Sequence, residues 1–448
     1  EFLVKKCNMK KVLIGLFIIS VITQGCKEKE QLPKADPASV KYVHEMSKSL
    51  NDIIIYDIFS APVASRIYAY STIAAYESSR FMDTSYRSLT TQLNGFDALP
   101  IPDKNKLYDF RIASISAFYT VVQKLTFTSD STIKDQIIIM DSLKVGIPKT
   151  IVDRSIQFGK SIATVILDRA SKDNYKMIQG MERYTVKVDD PSKWKTTAPD
   201  YLDAVQPFWT KMKPLVMDSS AQFAPPRPPA YSLDKSSAFY KDLNEVYLVR
   251  KNLTPQQKEI AYFWDDNASA STHVGHLRYT TKKPSPGGHW INITSQASQQ
   301  IKQDWVAAAQ TYAMTSIAMF DGFISCWDEK YRSEYLRPIT AINESIDQQW
   351  EPLLQTPPFP EYTSGHSVIS SSIASVLTKI FGEQFAFTDS YEKPYIQIVR
   401  SFDSFYDAAE EACISRLYGG IHFRTAIEEG KKQGRNLGTF INGRVQLK

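Results

Sequence analysis

Apolar residues recur at helical spacing through most of this 448-residue chain, and no alternating apolar and polar run of comparable length competes with them. Asp36-Pro37-Ala38-Ser39 is a helix-start signal, and Val40, Val43, Leu50 and Ile53 follow it with the period of one helix face. Val63, Ile67, Tyr70 and Ile73-Ala74 continue the period in a second segment, and Leu107, Phe110, Ile115, Phe118, Val122 and Leu125 mark a third. Residues 131–143 and 151–166 read as further helices. The expected class is all-α. A chain this long outgrows a single core, so the expectation is two helical bundles.

The texture breaks once. Between Lys193 and Asp234 proline stands at 199, 207, 214, 225, 226, 228 and 229, which forbids regular helix and predicts a long connection. Connections of that length are usually functional or ordered by packing over a site. The chain therefore divides into a leader (1–26), an N-terminal bundle (27–195), the connection (196–235) and a C-terminal bundle (236–448).

Met9-Lys10-Lys11, the apolar run 12–22 and Thr23-Gln24-Gly25-Cys26 make a charged, then apolar, then small-residue signal. The run is about half the ~20 residues needed to span a bilayer. It resembles a bacterial lipoprotein signal with Cys26 as the lipidated residue, although Thr23 stands where leucine is usual. The chain is thus expected to be exported to the periplasm or cell envelope, lipid-anchored at Cys26. The formal net charge of +5 falls to about +2 when residues 1–25, with four lysines against one glutamate, are set aside. That balance excludes a nucleic-acid partner as the default reading. Cys7 and Cys26 belong to the leader, and Cys326 and Cys413 are expected as buried free thiols.

Three short stretches of the C-terminal half concentrate cations and histidines: 327–338 (WDEKYRSEYLRP), 359–367 (FPEYTSGHS) and 415–426 (SRLYGGIHFRTA). A helix running from about 295 to 331 is expected to deliver the first. Lys330 and Arg337, seven residues apart, would share a helix face. Alone, they read better as a solvated surface with Glu329 and Glu334 as partners. In the second stretch Ser364-Gly365-His366 precedes the apolar run Val368, Ile369, Ile373, Val376, Leu377 and so lies at a helix N-terminus, where exposed N–H groups favour an anion. Gly365 permits close approach, Ser364 can donate, and His366 can move a proton. In the third, Gly419-Gly420 signals a turn that can bring Arg416 and His422 together. The other histidines carry less: His44 reads as a surface or satisfied core residue, and His273, His276 and His289 as loop residues near a cleft mouth rather than metal ligands.

Lys330-x6-Arg337-Pro338, Ser364-Gly365-His366 and Ser415-Arg416-x5-His422 together resemble the three-part signature of the type 2 phosphatidic acid phosphatase and vanadium-dependent haloperoxidase superfamily. The longer, two-bundle texture resembles its haloperoxidase branch. The resemblance implies that Lys330, Arg337, Ser364, Gly365 and Arg416 hold the oxygens of vanadate or phosphate. It implies that His422 binds vanadium, or accepts the phosphoryl group in a phosphatase, and that His366 is the acid–base group. Trp327 and Phe359 resemble aromatics lining the halide side of that pocket, and Asp265 or Asp266 the acidic partner of the third-motif arginine. Thr363 replaces a common proline. Ala426 stands where many members carry an aspartate that orients the histidine; a backbone carbonyl could serve instead.

The implied activity is peroxidation: vanadate as cofactor, hydrogen peroxide and a halide as substrates, iodide or bromide favoured. The alternative is an exported acid phosphatase working through a phosphohistidine at His422.

Overall fold

The computed structural model describes residues 31–448 except 269 and 281, so the leader, with Cys7 and Cys26, lies outside the described residues. The first half comprises α1 (Lys41–Tyr56), α2 (Ala61–Ser79), α3 (Phe110–Leu125), α4 (Ser129–Leu143), α5 (Lys149–Ser171) and the short α6 (Tyr175–Gln179). These helices form where the apolar period places them. Asp109 caps α3 by accepting from the N–H groups of Arg111 and Ile112, and α1 buries Val43, Leu50 and Ile53 on one face. His44 is the satisfied core histidine expected, paired with the Tyr312 hydroxyl at 3.0 Å.

The second half runs α7 (Ala238–Lys251), α8 (Pro255–Phe263), strands β1 (Ser271–Val274) and β2 (Leu277–Thr280), α9 (Pro286–Gln300), α10 (Trp305–Ser333), α11 (Pro338–Ser345) and α12 (Gly365–Phe381). It ends with β3 (Phe387–Asp389), α13 (Lys393–Ile396), β4 (Arg400–Phe402), α14 (Phe405–Tyr418) and α15 (Arg424–Arg444). The strands form two antiparallel ribbons, β1 with β2 and β3 with β4, so the all-α class holds. The helix expected over 295–331 is two. Lys302 turns left-handed at φ +54°, and the Asp304 carboxylate accepts from Ala307 N–H to start α10 afresh.

α2 packs lengthwise on α10, and one apolar cluster holds Ile67 and Ile73 of α2, Ile112 and Phe118 of α3, Phe320 and Ile324 of α10, Ile369 of α12 and Leu437 of α15. The border at 196–235 divides the sequence, while the core runs across it. Each of these side chains contributes on the order of 1.5–3 kcal/mol by leaving water.

Two devices set the site's geometry. α15 lies unusually close to α12, because Gly430, Gly434 and Gly438 recur every fourth residue and face Ser367, Ser371 and Ser375. A Cβ on Gly434 would stand 2.3 Å from the Val368 carbonyl oxygen. The proline-rich connection is pinned by Asp321 of α10, fully buried, which accepts from the N–H groups of Leu215, Val216 and Met217 at 2.7, 2.8 and 2.9 Å. The connection then crosses the site, where its Val205 carbonyl accepts from the Trp327 indole at 3.1 Å and the Tyr331 hydroxyl at 2.8 Å.

Candidate active site

The three stretches meet at one buried place by a route partly different from the helical one. α10 ends at Ser333 with Glu334 left-handed at φ +51°, and Arg337 is the N-cap of α11. Lys330 and Arg337 therefore do not share a helix, because the left-handed residue and Pro338 break the ladder between them. Both are fully buried, so the solvated-surface reading fails. Glu329 and Glu334 pair elsewhere, with Arg332 and with Lys187. Ser364 is the N-cap of α12. Gly420, at φ +76°, makes the turn that returns the chain from Arg416 to His422.

Hydrogen bonds fix which nitrogen of each histidine carries a proton. Arg337 Nη1 lies 3.2 Å from His422 Nε2 and has only hydrogens to offer, so Nε2 holds a lone pair. His422 Nδ1 therefore carries the proton and donates at 2.7 Å to Glu361 Oε1, which also accepts Phe423 N–H at 2.9 Å. Glu361 thus does the work expected of an aspartate at 426. It was missed because the carboxylate comes from the loop before α12 instead of the helix after His422. The Glu at 361, five residues before His366, was the available signal. His366 Nε2 donates to the Trp264 carbonyl at 3.0 Å, which leaves its Nδ1 basic. Arg416 Nη1 donates to the same oxygen at 2.7 Å.

Lys330 departs from expectation. Its three N–H bonds go to the carbonyls of Pro360, Glu361 and Thr363 at 2.9, 3.0 and 2.6 Å. In this arrangement it holds the 360–363 loop under the site and supplies charge, rather than presenting a free donor. Asp266 departs too. Its carboxylate pairs with His289 at 3.0 Å and lies 3.8 Å from His366 Nε2, and its effect on Arg416 is long-range, shared with Asp265. His289 is no loop histidine: it occupies the first turn of α9 and is fully buried, while His276 is exposed on the β1–β2 ribbon. Cys326 and Cys413 are free, buried thiols.

The electrostatics call for an anion. Burial lowers Lys330 to about 7 and Arg337 to about 10, and lowers Arg416 as well. Burial, with the neighbouring cations Arg337, Lys330 and Arg416, holds His422 well below its ordinary value. Burial pushes Glu361 up to about 8 against the pull of Arg337 and Lys330. Two cationic donors, Arg337 Nη2 and Arg416 Nε, are buried with no hydrogen-bond partner among the described residues. A cavity of about 50 Å³ is lined by Gly365, His366, Arg416 and His422 together with Trp327, Phe359 and Phe323. Trp327 and Phe359 stand with ring centroids 5.0 Å apart, and Lys330 Nζ lies 5.0 Å from the Phe359 ring.

Residues 310–447 match the family described as the VCPO second helical-bundle domain. The fold superposes on the crystal structure of the first bacterial vanadium-dependent iodoperoxidase with a TM-score of 0.87. Identity is 43%, over 94% of this chain and 99% of that one. The chain belongs to the vanadium-dependent haloperoxidase family. A holo-type bacterial vanadium-dependent chloroperoxidase shares the fold at a TM-score of 0.67 and 16% identity, over 88% of this chain and 93% of that one. The vanadium chloroperoxidase of Curvularia inaequalis is 23% identical over 26% of this chain, a match that spans 27% of that protein's length.

The residues of this haloperoxidase family member fit vanadate. Two buried cationic donors without partners suit an oxyanion, and His422 Nε2 offers the single nitrogen a metal centre needs. A Cβ on Gly365 would find nothing nearer than Trp327 at 3.9 Å, so protein packing does not require the glycine there. The absence of a side chain leaves room there for an anion to lie close to the backbone.

Proposed function

We propose that this chain is a vanadate-dependent peroxidase that oxidises iodide with hydrogen peroxide to hypoiodous acid. The observation that carries the reading is His422, its Nε2 lone pair set by Glu361 and its surroundings supplied with unpartnered guanidinium nitrogens, in a cavity walled by Trp327 and Phe359. Iodide is favoured by the 43% identity to a protein described as an iodoperoxidase.

Vanadate, when bound, supplies a Lewis-acidic V(V) centre that activates peroxide toward halide without a change of oxidation state. The chain does the rest. His422 Nε2, Arg337 Nη2, Arg416 Nε and the amide end of α12 at Ser364-Gly365 would hold the anion. His366 takes and returns a proton at Nδ1, since its Nε2–H is fixed on the Trp264 carbonyl. A proton is needed: iodide, hydrogen peroxide and H⁺ give hypoiodous acid and water. Trp327 and Phe359 keep bulk water from the reacting atoms.

One observation favours the phosphatase as a second reading. Glu361 restores the orienting carboxylate that a nucleophilic His422 benefits from. Both are tested together by stripping bound anions, adding orthovanadate, and assaying iodide and bromide oxidation beside hydrolysis of a chromogenic phosphate ester. Vanadate-dependent iodide oxidation, abolished by His422→Ala, supports the peroxidase. Ester hydrolysis inhibited by vanadate, with no halide oxidation, replaces it.

The same proposal places the enzyme in the cell envelope through residues 9–26, lipid-anchored at Cys26. Cys26→Ala should release it from the membrane fraction, and retention of that variant would remove the anchor from the account.

A further inference from the structure

Beside His366, and touching the cavity wall through Asp266, four ionisable side chains are packed with almost no access to water: Asp266, His289, Asp389 and Glu392. They come from three places in the chain: the loop after α8, the first turn of α9, and the β3–α13 segment. His289 is the centre. Its ring stacks on Trp264 at 4.6 Å, its Nε2 pairs with Asp389 Oδ2 at 2.8 Å, and its Nδ1 lies 3.0 and 3.1 Å from the two oxygens of Asp266. One ligand atom each from Asp266, His289 and Glu392 falls within 4.8 Å of the others.

The cluster has more negative groups than its own cations balance. Three carboxylates surround one imidazole, and the nearest lysine, Lys283, is bonded at 2.6 Å to the neighbouring Asp265. Buried carboxylates without a counter-charge are costly. Glu392 adds an independent observation: it is 7% exposed, and its Oε1 is buried with no hydrogen-bond partner among the described residues.

We propose that Asp266, His289 and Glu392 form a divalent-cation site, with Asp389 as the carboxylate that orients the histidine. Asp389 accepts a hydrogen bond from Nε2–H and so turns the Nδ1 lone pair toward Asp266 and Glu392, the arrangement in which a ligating imidazole is held from behind by an acid. One nitrogen and two carboxylate oxygens suit Zn²⁺ or Mn²⁺. Ligand atoms around a zinc ion at roughly 2.1 Å stand about 3–4 Å apart, so atoms now up to 4.8 Å apart close in by as much as about 1–2 Å on binding. The ion clamps α8, α9 and the β3–α13 segment together, directly behind the carbonyl of Trp264 on which His366 and Arg416 depend. It adjoins the anion site through Asp266, 3.8 Å from His366 Nε2, but shares no ligand with it, and the proposal stands whichever anion that site holds.

The test uses the full chain, purified without a metal-binding tag or chelator, and elemental analysis that counts zinc, manganese and vanadium separately. Zinc or manganese at about one equivalent per chain is expected. After dialysis against EDTA, Zn²⁺ and then Mn²⁺ should each raise the melting temperature. Glu392→Gln, nearly isosteric, should weaken Zn²⁺ binding at least tenfold while keeping the far-ultraviolet circular dichroism of the parent. Asp218→Asn, an exposed carboxylate elsewhere, should bind Zn²⁺ as the parent does. Metal content near zero with no thermal response to either ion overturns the site. So does zinc binding that survives Glu392→Gln unchanged: the first outcome makes His289 a protonated imidazolium between two carboxylates, the second puts the metal elsewhere.

Discussion

Glu361 is the residue on which the reactivity of His422 turns. Its Oε1 accepts both the Nδ1 proton of His422 and the amide of Phe423, so it sets the tautomer and the ring angle at once. Glu361→Gln keeps the size and removes the carboxyl group. We expect kcat for iodide oxidation and the affinity for vanadate to fall by about 10- to 100-fold, the usual effect of removing an orienting carboxylate from a ligating histidine. Steady-state rates at a series of vanadate concentrations would read both, and unchanged values would show that the tautomer is held by Arg337 alone. At this scale the sequence displayed the motif residues that the fold gathers at one buried place, but not Glu361, which orients His422. Local motifs report residues that act through their own neighbours. Glu361 acts across a gap of sixty-one positions, closed only by the packing of the loop before α12 against the turn before α15.

At the scale of elements, two glycines on neighbouring helices have opposite purposes. Gly434→Ala would press a methyl group against the Val368 carbonyl and force α15 away from α12, costing on the order of 1–3 kcal/mol in a denaturant melt. Gly365→Ala makes only an ordinary contact with Trp327 at 3.9 Å and should leave the melt nearly unchanged. Its loss should appear instead as vanadate affinity reduced at least tenfold, about 1.4 kcal/mol. Equal effects of the two substitutions on stability would contradict this division.

Asp321, which pins the proline-rich connection, gives a pH signature. Burial outweighs its three backbone hydrogen bonds and pushes the carboxyl up to about 6 from an ordinary 3.8. The folded chain then holds a proton between those values that the unfolded chain has released, so this group's contribution to stability falls as pH rises from 3.8 to about 6 and is level above it. Asp321→Asn should remove that slope from the pH dependence of the melting temperature, and should lower stability at neutral pH because an amide cannot accept all three N–H groups. An unchanged slope would assign the titration to another group. Helical elements were legible from apolar period and caps, since these are local. The break at Lys302 and the end of α10 at Glu334 were not, because each is made by one left-handed residue of a type that sequence does not single out.

For the molecule as a whole, the long α2–α10 contact joins the two halves of the sequence in one apolar core. A fragment of residues 31–195 would expose the face of α2 that carries Ile67, Tyr70 and Ile73. It should be insoluble when expressed alone and recovered when the remainder is co-expressed, as read by the soluble fraction in a sedimentation assay. A soluble, monomeric fragment with native helix content would show that the first half is a domain in its own right. The sequence suggested two bundles because proline marks the connection plainly. It gave no sign that the apolar core ignores the mark, since a helix buried on nearly all sides, as α2 is, carries no stripe to say which neighbour covers it.

The carbonyl oxygen of residue 264 receives both the imidazole of His366 and the guanidinium of Arg416. A peptide oxygen is present whatever side chain that residue bears, so no single substitution at 264 deletes the acceptor. Substitution can remodel the indole and what it packs against, Glu411 and His289, and leave the acceptor in place. The proton-handling group and the charge-holding group remain yoked to one atom that mutation cannot reach.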